Sequence, residues 1–372
     1  MRWRRTCVAA ETDRRPERLH RLREKLDKVG LEGLIVTHLP NIRYLVGFSG
    51  TAGALLVTRS EAFFLTDFRY RDQAEDEVGT VARVEIVPRD TWGRLMELVA
   101  EQLASSPVGF EAHVLSAKQA TSLGSNGRPA FKGVSDVVES LRESKDAGEM
   151  EALRAAAVLA CSALEATLPL VQVGMRELDV AAILESELRT RGSEWHPFQT
   201  IVATGPRTAL PHARTTGRRI QAGDWLLLDF GAQVDGYCAD ITRTYVVGRK
   251  PDDRQVTVHG LVKAAHARVQ KHLHAGLTGE QADALARSVF EARGFADAFG
   301  HSLGHGLGLE VHEGPSLSRA NRRPLPVGCV VTIEPGLYFP GWGGVRLEDD
   351  AIVTDTGVEL LSDGDISLRE IG

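Results

Sequence analysis

Residues 225–247, WLLLDFGAQVDGYCADITRTYVV, decide how the second half of this 372-residue chain is built. Two apolar runs flank Asp235-Gly236, a dipeptide suited to the left-handed conformations of a two-residue hairpin turn. With that pair as the turn, Val234 pairs with Tyr237, Asp229 faces Thr242 and Gly231 faces Asp240. Alternate side chains of a strand share a face, so Asp229 and Asp240 lie on one face, a diagonal step of roughly 7 Å apart. Asp229 sits inside an apolar run, where an unpaired carboxylate costs several kcal/mol. Like charges so placed repel unless a cation is shared, and the hairpin therefore predicts a metal site. A slipped register or a solvated face is the bland alternative. Asp229-Phe230-Gly231 also spells a kinase motif, excluded because no glycine-rich loop accompanies a strand lysine and no His-Arg-Asp loop is present.

Further acids lie downstream in the same strand-rich region, which opens at about residue 198. Glu334 in VVTIEPG and Glu348 in GGVRLEDD are embedded like Asp229, and Arg346 should share the face of Glu348. Alone, each acid reads equally as one half of a surface ion pair. Asp349 and Asp350 read as surface acids or as groups supporting the site. Residues 300–314, GHSLGHGLGLEVHEG, hold His301, His305 and His312. Their glycines oppose a continuous helix, let backbone approach a crowded centre and release LEVH as a strand. His212 in LPHAR is a fourth candidate. His20, His38, His113 and the His259–His274 group have no such context and read as surface or core residues.

Asp229, Asp240, Glu334 and Glu348 carry four negative charges, enough to balance two divalent ions. With one neutral histidine the donor set is oxygen-rich, favouring Mn²⁺, with Co²⁺ or Zn²⁺ also fitting. Two such ions can share a water and lower its pKa. Nearby histidines could stabilise an oxyanion or carry protons. Hydrolysis of an amide-like bond is the chemistry this set suits.

Towards the N-terminus the pattern changes. Leu19, Leu22, Leu26 and Val29 mark an amphipathic helix over 14–29. LEGLIVTH, AGALLVT, EAFFLTD and VARVEIV read as strands, with helical patterns near 91–104 and 113–124. The breaker-rich SNGRPAFKG and the polar RESKDAG set a boundary near 141, giving domains at 14–140 and 141–372. Helices are expected at 147–170, 175–191, 252–275 and 279–293. The chain is 43% hydrophobic and 25% charged with a net charge of −6, which places it among globular proteins and opposes a nucleic-acid binder. Arg2, Arg4 and Arg5 precede too short an apolar stretch for a secretory signal, and no run of 18 apolar residues suggests a membrane span. Four separated cysteines suggest neither zinc knuckle nor disulfide framework. A cytoplasmic protein is expected.

In that order, LLLDFGA, CADITRT, GHSLGHGLGLEVHE, TIEPG and VRLED resemble the pita-bread metallopeptidases, the superfamily of methionine aminopeptidase, aminopeptidase P and prolidase. The resemblance implies Asp229, Asp240, His305, Glu334 and Glu348 as dinuclear metal ligands, with Asp240 and Glu348 bridging. It implies substrate and proton-handling roles for His212 and His312, and active-site positions for His301 and Arg346. RLHRLREKLDKVGLEGLIVTHLPNIRYLVGFSGTAG resembles a creatinase-type N-terminal domain, which methionine aminopeptidase lacks. IVATGPRTALPHA is similar to a segment of bacterial and archaeal Xaa-Pro peptidases. The implied architecture is a smaller α/β creatinase-like domain followed by an α+β pita-bread catalytic domain of pseudo-two-fold symmetry. The implied activity is cleavage before proline in peptide substrates by a homodimer, as an Xaa-Pro aminopeptidase first and a prolidase second. A metal-free binding scaffold should have lost at least one ligand, as creatinase has; none is missing here.

Overall fold

The computed structural model describes residues 13–104, 106–123, 129–362 and 364–372. The start of the chain, with Arg2, Arg4, Arg5 and Cys7, lies outside the described residues. The chain forms two compact units, one ending at Arg142 and the other spanning Glu143–Gly372.

In the first unit the helix Arg15–Lys28 buries Leu19, Leu22 and Leu26, the stripe that its periodicity predicts; Val29 lies past its end and is exposed. A six-stranded sheet runs in the order Arg83–Ile86, Ala62–Thr66, Ala54–Thr58, Gly33–Val36, Val108–Glu111, Phe131–Val134. Its centre is antiparallel and its flanking pairs are parallel. The helices Leu39–Val46 and Arg71–Val78 and the last two strands carry no periodic signal. Each is too short for its pattern to separate helix from strand. The helix expected over 113–124 is observed only as Ala117–Ser122.

The second unit uses one plan twice, a helix pair followed by an antiparallel sheet. Helices Ala147–Thr167 and Glu177–Thr190 precede a sheet ordered Glu370–Ile371, Ile241–Val247, Trp225–Phe230, Ile201–Thr204. Helices Asp253–His272 and Gly279–Glu291 precede a sheet ordered Glu313–Leu317, Gly304–Gly306, Val330–Ile333, Asp349–Val353, Val358–Leu360. Gly336–Phe339 and Gly343–Arg346 form a separate hairpin. Ala147–Leu170 is long and apolar enough to cross a membrane by composition. Its stripe of Leu153, Ala156, Ala157, Ala160, Ala163 and Leu164 is nevertheless buried within the unit, as in a core helix.

The hairpin register is the one its turn dictates. Val234 pairs with Tyr237 and Asp229 with Thr242. Asp235 and Gly236 have φ of 47° and 76°, the positive values a type I′ turn needs. One expected strand fails. LEVH, Leu309–His312, is irregular, because Gly308 N–H folds back onto the Glu310 carbonyl and the strand starts only at Glu313.

His259, on the helix Asp253–His272, is buried and its Nε2 has no hydrogen-bond partner among the described residues. Burial, and then the charge of Lys263, pull its imidazole down to about 4. Between pH 6.5 and 4 the unfolded chain takes up a proton that the folded chain refuses. Its contribution to stability is therefore present above about pH 6.5 and lost as pH falls towards 4, at up to about 1.4 kcal/mol per unit. His259→Phe is expected to shallow the fall in Tm between about pH 7 and pH 5. Equal slopes for variant and parent would refute this account.

Candidate metal centre

Five elements of the second unit converge on one pocket. Asp229 ends the run of side chains that the strand Trp225–Phe230 points inward, and Asp240 immediately precedes its partner Ile241–Val247. His305 lies in Gly304–Gly306, where a Cβ on Gly304 would stand 2.1 Å from the Thr332 carbonyl oxygen. That close approach is why glycine flanks the histidine. Glu334 follows Val330–Ile333, and Glu348 bridges to Thr242 beside the first sheet. Ligating atoms of Asp240, His305 and Glu348 all lie within 4.8 Å of one another. His305 Nε2 is 3.7 Å from Asp240 Oδ2 and 3.5 Å from Glu334 Oε1.

The electrostatics of this pocket are unfavourable as they stand. Burial pushes the carboxyls of Asp229, Asp240 and Glu348 up, and that of Glu334 up to about 8. At Asp240 the neighbouring acids Glu348, Asp229, Asp350 and Glu334 add to burial; at Asp229 the Arg346 guanidinium opposes it. His305 is held neutral at about 4, by burial and then by His312. Its Nδ1 is 3.1 Å from the Gly306 carbonyl oxygen, to which it donates. Nε2 then faces two carboxylates with a lone pair. Asp240 Oδ1 is also buried without a hydrogen-bond partner among the described residues. Clustered acids, an acceptor nitrogen aimed at them and an orphaned carboxylate oxygen need a cation in common. The oxygen-rich donors fit hard divalent ions.

A hydrogen-bonded chain backs the pocket. Arg346 donates through Nη2 to Asp229 Oδ2, through Nε to Thr242 Oγ1 at 3.1 Å and through Nη1 to the Tyr338 hydroxyl at 2.9 Å. His301 Nδ1 donates to the Ser302 carbonyl at 2.8 Å, so its Nε2, 2.9 Å from the Tyr338 oxygen, accepts the phenol proton. Burial, then Arg346, keep His301 neutral at about 4. The His312 ring lies 4.3 Å from that of His305, and burial followed by His212 lowers its pKa. His212 is exposed on a loop, close enough to interact electrostatically with Asp229, His301 and His312. A cleft of about 470 Å³ opens beside His312, lined by Pro197, Phe198, Gln233, Leu309 and Val311 among others.

Of the two readings open for Asp349 and Asp350, the supporting one holds, while Tyr338 goes unnoticed in the sequence. Asp349 and Asp350 are buried, not surface acids. Asp349 accepts from Arg243 Nη2 at 2.7 Å and from Ser362, while Asp350 Oδ2 accepts the Asp240 backbone N–H at 3.1 Å. The apolar run following LEDD was the available signal. Tyr338 carried none, since an aromatic in GLYF reads as core. Thr242, whose hydroxyl donates to Glu348 Oε2 at 2.5 Å, was already placed opposite Asp229 by the register.

Residues 151–355 match metallopeptidase family M24 and residues 18–144 match the creatinase/prolidase N-terminal domain. The chain is similar to a Xaa-Pro dipeptidase of Pyrococcus furiosus, 32% identical over 93% of this chain and 97% of that one. A solved Xaa-Pro dipeptidase from Bacillus anthracis superposes with a TM-score of 0.91 at 38% identity, covering 96% of this chain and 99% of that one. An X-Pro aminopeptidase from Thermotoga maritima gives 0.88 at 35% identity, covering 95% and 99%. Together with a buried acid cluster that calls for cations, these matches show that the chain belongs to metallopeptidase family M24 and is a metal-dependent peptidase of two-domain, pita-bread architecture.

Proposed function

We propose that the chain hydrolyses the peptide bond preceding proline, with Xaa-Pro dipeptides as its substrates. The convergence of Asp229, Asp240, His305, Glu334 and Glu348 on one buried pocket carries this reading. The resemblance of the sequence alone favours removal of Xaa from longer peptides. The names of the Pyrococcus and Bacillus relatives move the preference to the dipeptide, and the Thermotoga aminopeptidase keeps the longer peptide as the second reading. Mn²⁺ as the ion, a homodimer and a cytoplasmic location belong to the same reading.

Two divalent cations held by the five ligands would supply Lewis acidity and a lowered pKa for a shared water. The chain's own residues do the rest. Arg346 holds the Asp229 carboxylate in one orientation and, through Tyr338, fixes the His301 ring. His312, exposed beside the cleft, is placed to take up the proton released by the attacking water and hand it to the departing proline nitrogen, a poor leaving group until protonated. Exposed His212 sits at the edge, where it can meet a substrate end. Phe198, Leu309 and Val311 offer apolar surface to a proline ring.

Incubation with Mn²⁺ and the pair Ala-Pro and Ala-Pro-Ala tests the choice. A kcat/KM for Ala-Pro exceeding that for Ala-Pro-Ala by at least about tenfold is expected, a difference near 1.4 kcal/mol in transition-state binding. The opposite ratio would make the chain an aminopeptidase. Turnover of neither by a metal-loaded protein would end the Xaa-Pro reading.

A further inference from the structure

The first unit gathers His38, His113 and Glu139 from three places in the chain. His38 caps the helix Leu39–Val46, His113 follows the strand Val108–Glu111, and Glu139 opens the helix Glu139–Arg142. One ligating atom from each lies within 4.8 Å of the other two. His113 Nε2 is 3.2 Å from Glu139 Oε1, and His38 Nδ1 is 3.8 Å from the same oxygen. Donors about 2.0–2.1 Å from a tetrahedral zinc ion stand roughly 3.3 Å apart, close to these separations.

The support behind these three side chains is that of a built site. Glu111 Oε2 accepts the backbone N–H groups of Thr37 at 2.7 Å and His38 at 2.8 Å, fixing the turn that carries the His38 ring. The Asn41 amide donates to Glu111 Oε1 and to Glu139 Oε1, each at 2.6 Å, and Arg142 Nη1 donates to Asn41 Oδ1 at 2.8 Å. Asn41, Glu111 and Arg142 are all buried. Hydrogen bonds of this kind orient ligands and raise metal affinity.

The geometry points to a second metal site in the first unit, in which His38, His113 and Glu139 bind one Zn²⁺ with solvent completing the coordination. Two imidazoles and a carboxylate suit a borderline ion such as Zn²⁺, whereas the pocket of the second unit is dominated by oxygen donors. The inference is independent of the proposed substrate.

Full-length protein stripped by chelation and refilled with Zn²⁺ provides the test. The parent is expected to hold one more Zn²⁺ per chain than His113→Ala. The same difference is expected when both carry Asp240→Ala, which separates this site from the pocket of the second unit. His113→Cys should restore the ion, because a thiolate also ligates zinc. With Co²⁺ in place of Zn²⁺, that variant should show a sulfur-to-metal charge-transfer band that the parent lacks. Equal Zn²⁺ in parent and His113→Ala would overturn the site. The His113 side chain is 41% exposed, so its truncation should leave the fold intact. If His113→Ala nevertheless fails to fold, the Co²⁺ band of His113→Cys decides alone: present, the site stands; absent, it falls.

Discussion

Asp240→Ala is expected to abolish peptide hydrolysis and to lower bound metal with it. The loss in kcat should be at least about 10³-fold, beyond the roughly 10–100-fold typical of changes to groups that only support a ligand. Asp240 lies nearest the crowded middle of the pocket. It faces His305 and feels the charges of Glu348, Asp229, Asp350 and Glu334. Its removal takes away one of four negative charges, while the backbone N–H that donates to Asp350 is retained. Metal analysis by mass spectrometry alongside Ala-Pro turnover checks both halves. A variant with full metal content and full activity would remove Asp240 from the centre.

His312→Ala is expected to separate the two properties. Metal content should stay at the parental level, because the ring only packs against that of His305, 4.3 Å away and tilted 54°, and the five ligands do not include it. kcat should fall by about 10²–10⁴, the usual worth of a positioned proton donor, with little change in KM. A rise in KM at constant kcat would instead make His312 a substrate-binding group. An unchanged kcat would leave proton transfer to the proline nitrogen to another residue, with His212 the next to replace.

The catalytic unit was far more legible in the sequence than its neighbour, for physical reasons that specific residues show. Asp229 is informative because a carboxylate inside WLLLDF must be compensated, and Asp235-Gly236 fixes which residues it meets. Long periodic helices such as Asp253–His272 announce themselves. Short elements such as Leu39–Val46 and Val108–Glu111 do not, since four to eight residues hold barely one or two periods of either structure. LEVH misled for a different reason. Its alternation is real, but the Gly308 turn beside it removes the extended backbone that alternation presupposes. Tyr338 and the His38–His113–Glu139 group were invisible because their meaning comes from residues distant in sequence, 8 to 101 positions away, that only the folded chain brings near.

The positive-φ pair Asp235-Gly236 has a consequence for how this protein can vary. Surface turns ordinarily absorb insertions and deletions with little harm. Here a single added or missing residue between Val234 and Tyr237 would shift the pairing by one and rotate the inward side chains of one arm outward. Asp240 would be carried from the pocket into the opposite layer while every ligand remained in the sequence. The length of this loop is thus as much a requirement of the site as the chemistry of the acids it separates.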